Sequence, residues 1–162
     1  MKKALSIGML CALTLMASQA WADVIATRTR TAAFTVLANT IVNPPLNNAN
    51  SVTMPFVTTR DNQRVVITYN AECSVKSLSQ SAHMNITIFV DNVAAAPSSV
   101  PNAFCTSDGN ATLLGEWVRA VTQVVFVVEE PGVHAVALRA ELVNEIAGNF
   151  GTLSASSIVV EQ

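Results

Sequence analysis

The chain has 162 residues, 51% hydrophobic and 12% charged, with nine basic against eleven acidic side chains and a mean hydropathy of +0.41. That length suits one domain, and so few charges among so many Val, Ile and Ala residues exclude a disordered chain, which lacks the apolar surface to offset its ordering entropy. Without a run of Lys or Arg to neutralise a phosphate backbone, nucleic-acid binding is argued against as well.

The first segment reads as a leader. Lys2 and Lys3 form a positive start, Ala4 to Met16 an apolar stretch, and Ala20-Trp21-Ala22 places small residues where a signal peptidase cuts. Cleavage after Ala22 is expected, so residues 1–22 are assigned to a signal peptide and 23–162 to a single domain. The apolar run is too short for a membrane span. Cys11 is not a lipidation site, because Leu10 precedes it where a small residue is needed. Once Lys2 and Lys3 are gone, seven basic residues face eleven acidic ones, a net charge of about −4. A short two-lysine leader is of bacterial type, which points to the periplasm, the cell surface or the medium.

Beyond the leader, period-two alternation dominates. Phe34, Val36, Ala38 and Val42 alternate with polar residues until Asn43-Pro44-Pro45 ends the strand. Val52, Met54 and Phe56 predict a second strand, and Arg60 to Gln63 a polar turn. Val65, Ile67, Tyr69, Ala71, Cys73 and Val75 line one face of a half-buried strand, with Val66 the exception on the other. After a polar connection from Lys76 to Ala82, Met84, Ile86, Ile88 and Val90 point inward, and Phe89 breaks the outward polar face. Ala94 to Asn110 reads as a long loop pinned by Cys105.

The stretch Val118 to Val128 is apolar on both faces, which predicts a central strand covered on much of both sides. Glu129-Glu130-Pro131-Gly132 carries the signature of a type II turn and predicts a hairpin into Val133 to Leu142. Ala135 to Ala147 could also form a helix, but alternation and the turn favour a strand. Ser156 to Gln162 closes the chain as a last strand.

About eight short strands without a firm helix imply an all-β, antiparallel β-sandwich. A jelly-roll-like arrangement is preferred and an immunoglobulin-like one is the alternative. Trp117 follows both cysteines, against the immunoglobulin order. With Cys11 removed, Cys73 and Cys105 are left as an even pair, which in an oxidising compartment implies one disulfide.

Chemistry is sparse. His83 and His134 lie in no H-E-x-x-H, G-x-S-x-G or P-loop setting, and Asp108-Gly109-Asn110 lacks the further acids of a calcium loop. No catalytic residue, metal site or cofactor is assigned, and the chain is read as no enzyme, with a small hydrolase as the third choice. The leading expectation is an exported protein that binds proteins or assembles with itself at the bacterial envelope or outside the cell, with Phe89 and His134 as interface candidates. The alternative is a carbohydrate-binding module or adhesin, stacking a glycan on Trp117, Tyr69 or Phe104.

Overall fold

The computed structural model describes residues 22–95, 103–109, 117–144 and 148–162. The leader up to Trp21 and the connections 96–102, 110–116 and 145–147 lie outside the described residues. In chain order the strands are β1 (Val24–Arg30), β2 (Phe34–Leu37), β3 (Ile41–Val42), β4 (Thr53–Thr58), β5 (Gln63–Lys76), β6 (His83–Val90), β7 (Val93–Ala94), β8 (Ala103–Thr106), β9 (Val118–Val128), β10 (Gly132–Val143) and β11 (Phe150–Glu161). The first predicted strand is two: β2 and β3 are separated by a turn at Asn39, whose positive φ of 56° suits asparagine.

Two antiparallel sheets face each other. One runs β1-β11-β5-β9, with β2 also on β11. The other runs β3-β10-β6-β7, with β4 on β10 and β8 on β6. The chain alternates between them, so that the pairs nest: β1 and β2 with β11, β3 and β4 with β10, β5 with β9, and β7 and β8 with β6. Nested antiparallel pairs folded over into two layers make a jelly roll.

The alternation explains the core. Every inward residue expected on β5 and β6 is buried, and Phe56, Met54, Val136, Leu138, Ile158 and Val160 meet them from the neighbouring strands. Truncating one of these, as in Leu138→Ala, costs about 2–5 kcal/mol through lost transfer energy and the cavity left behind. Cys73 on β5 and Cys105 on β8 form the expected disulfide, with Cα atoms 6.2 Å apart, and it joins one sheet to the other.

Further expectations need correction. Ala94 to Asn110, read as a long loop, carries the strand β8 at Ala103–Thr106, paired with β6. The residues 129–132 do not make a hairpin: β9 pairs with β5, β10 with β4 and β6, and Pro131 lies on a crossing between sheets. The crossing is fixed at the end of the sandwich, where the Asn62 N–H donates to the Glu129 carbonyl at 3.0 Å and the Thr58 hydroxyl to that of Glu130 at 3.2 Å. Nor is β9 central. Among the described residues it is the edge of its sheet, with Val124 and Val128 buried inward and its outward residues exposed.

Candidate edge-strand interface

Among the described residues β9 pairs with β5 alone, over the whole length Val118–Val128. Its outward face carries Arg119, Val121, Gln123, Val125 and Val127, and the three valines are 62%, 43% and 47% exposed. Sheet edges are usually blunted by brevity, charge or proline, because unpaired backbone N–H and C=O groups invite another strand. Among the described residues the remaining edges follow that rule: β3 and β7 have two residues each, β2 and β8 four each, β4 contains Pro55, and β1 carries Arg28 and Arg30. In contrast, β9 has eleven residues, no proline and one charge, Arg119.

Side-chain hydrogen bonds tie this face across the neighbouring strands. The Gln123 side-chain amide donates to the Thr68 hydroxyl at 3.0 Å, and that of Asn70 on β5 donates to the Ser157 hydroxyl on β11 at 2.7 Å. Val66 stands opposite Val125 and extends the apolar stripe onto β5. Arg119 reaches Glu72 at 3.6 Å, with the two side chains 70% and 43% exposed, so the pair is weak. At the far end of β9 a cleft of about 370 Å³ opens between the sheets, floored by Val90, Phe126 and Val128 and rimmed by Asp91, Glu130 and His134.

The residues singled out from sequence separate into two groups. Tyr69 and Phe104 are core residues, 2% and 8% exposed, with ring centroids 5.5 Å apart, and neither offers a face to a glycan. Burial pushes the Tyr69 phenol up to about 12, against smaller opposing effects of the Ser156 hydrogen bond and of Arg30. Trp117, directly before β9, is 44% exposed. Phe89 is half-buried beneath its own chain: the Arg139 guanidinium lies 4.5 Å from the ring centroid. His134 packs against Phe56 and faces Asp91, at the end of the sandwich rather than on a flat surface.

Sequence reasoning missed the edge. The alternation of exposed valines was visible, but which side of β9 stays unpaired follows only from the nesting of the strands. Among the described residues no three His, Cys, Asp or Glu side chains converge to hold a metal ion, and no helix is long and apolar enough to cross a membrane. No protein-family model matches this chain, and no curated protein matches it in sequence.

Proposed function

We propose that this is an exported, non-catalytic β-sandwich that works by protein association, foremost with further copies of itself, at the bacterial envelope or outside the cell. The observation that carries the reading is β9: a long, nearly uncharged edge strand with three exposed valines, where the other edges among the described residues are short, charged or interrupted by proline. A disulfide joining the two sheets supports the exported setting, because such bonds persist in oxidising compartments. The test is the native mass of the exported protein by light scattering across a hundredfold dilution. A stable multiple of the chain mass is the expected result, and a monomer at every concentration overturns self-assembly.

Trp117 supports a second reading, glycan binding, through its exposed ring alone. Quenching of its fluorescence by a glycan, lost in Trp117→Ala, would favour this reading over assembly.

A further inference from the structure

We propose that two copies of this chain pair antiparallel through β9, joining their sheets edge to edge about a two-fold axis near Gln123 and Val124. The inference rests on the assembly reading and names its surface and partner.

Side-chain alternation restricts the pairing. For both outward faces to stay on the same side, odd-numbered residues must meet odd-numbered ones, since a slip of one residue turns every side chain over. Three registers, centred on Thr122, Gln123 and Val124, satisfy this with nearly full overlap, and the first is set aside because it places Arg119 opposite the partner's Val125, away from either glutamate. Centred on Gln123, the pairing sets Val121 against the partner's Val125. Centred on Val124, it sets Val121 against the partner's Val127. Either way the exposed valines of both copies merge into one stripe, and no charged residue of β9 faces its own counterpart.

The charges select the antiparallel direction. The one cation of β9, Arg119, stands near its start, and Glu129 and Glu130 directly follow its end. Antiparallel pairing brings Arg119 diagonal to the partner's Glu129 in the register centred on Gln123 and directly opposite it in the one centred on Val124, and symmetry makes the contact twice. Both positions are within reach of long side chains across a strand pair. Parallel pairing in register would instead set Arg119 on Arg119 and glutamate on glutamate. The present contact of Arg119 with Glu72 is exposed and long, so little holds it back. Such a two-fold contact uses the same patch on both copies and closes at the dimer.

The experiment is light scattering on the full chain from the exported fraction, comparing the wild type with Val121→Lys, Arg119→Glu, Glu129→Arg and the double exchange of the last two. Val133→Lys, on the 74%-exposed Val133 of β10, is the control, and circular dichroism checks that every variant is folded. The wild type and the control are expected to be dimers. Val121→Lys and each single charge reversal should lose the dimer, and the double exchange should restore it. A wild-type oligomer indifferent to all four variants overturns this pairing and leaves the assembly reading standing. Failure of the double exchange to restore the dimer overturns the antiparallel order. A wild-type monomer at every concentration overturns both proposals.

Discussion

The carboxylate of Asp91 accepts the imidazole Nδ1–H of His134 at 2.7 Å and, through its other oxygen, the backbone N–H of Ala135 at 2.9 Å. One side chain thereby ties the turn after β6 to the start of β10. Asp91 and Asn92 form that turn, both at positive φ (49° and 68°), the geometry of a two-residue hairpin between Val90 and Val93.

Asp91→Ala removes two hydrogen bonds and puts an alanine where the backbone is left-handed, so a loss of about 1–2 kcal/mol is expected in urea unfolding. Asp91→Asn, which tolerates that backbone and keeps an acceptor for Ala135, should recover most of it. Equal losses in the two variants would show that the turn does not depend on this geometry.

Tyr69 is the chain's one tyrosine, so its titration can be read without interference. The folded phenol titrates at about 12 against an ordinary 10, and the neutral form is the one the fold favours. Its contribution is therefore complete below pH 10 and is lost as the pH climbs toward 12, amounting to about 2–3 kcal/mol. In a spectrophotometric titration the native protein should stay free of phenolate absorbance at a pH where the urea-unfolded chain is already ionised. Coincident curves would contradict the buried position of the ring.

The Cys73–Cys105 bridge closes a segment with a sequence separation of 32. Replacing both cysteines by alanine should cost about 3–4 kcal/mol, largely by releasing the unfolded chain. Both sulfurs are buried, so the native protein should resist thiol reagents. Two free thiols under denaturing, non-reducing conditions would disprove the bond.

Ala155 sits at φ 43° on β11, where three steps of that strand match two of β5 between Ser154 and Ser157. This is a β-bulge, and alanine is a poor residue for its backbone. Ala155→Gly is expected to stabilise the protein by about 0.5–1 kcal/mol, despite glycine's usual cost in strands. A lower melting temperature would count against it.

Much of the core was legible because an antiparallel sheet with one wet face writes itself as alternation: Val65 to Val75 and Met84 to Val90 could be read directly. Where the reading went wrong, the missing quantity was pairing across the chain. A Pro-Gly turn has the same local chemistry whether the strands beside it share a sheet or lie in opposite ones, so the path from β9 to β10 was beyond local signals. The same ignorance made Val121, Val125 and Val127 look covered, since an apolar outward face reads alike at the centre and at an edge. Phe89 met Arg139 only through register: Phe89 pairs with Ala137, and the guanidinium comes from the next residue on that face.

The position of β11 decides how this sheet closes. The last strand of the chain lies between β1 and β2 on one side and β5 on the other, and the backbones of Asp23 and Gln162 exchange hydrogen bonds at 3.1 and 3.0 Å. Without β11, β5 and β9 stay paired with each other, while β1 and β2 lose the strand that holds them and the core lies open. Closing this layer therefore waits on contacts between residues far apart along the chain, the kind of pairing that makes folding slow and all-or-none.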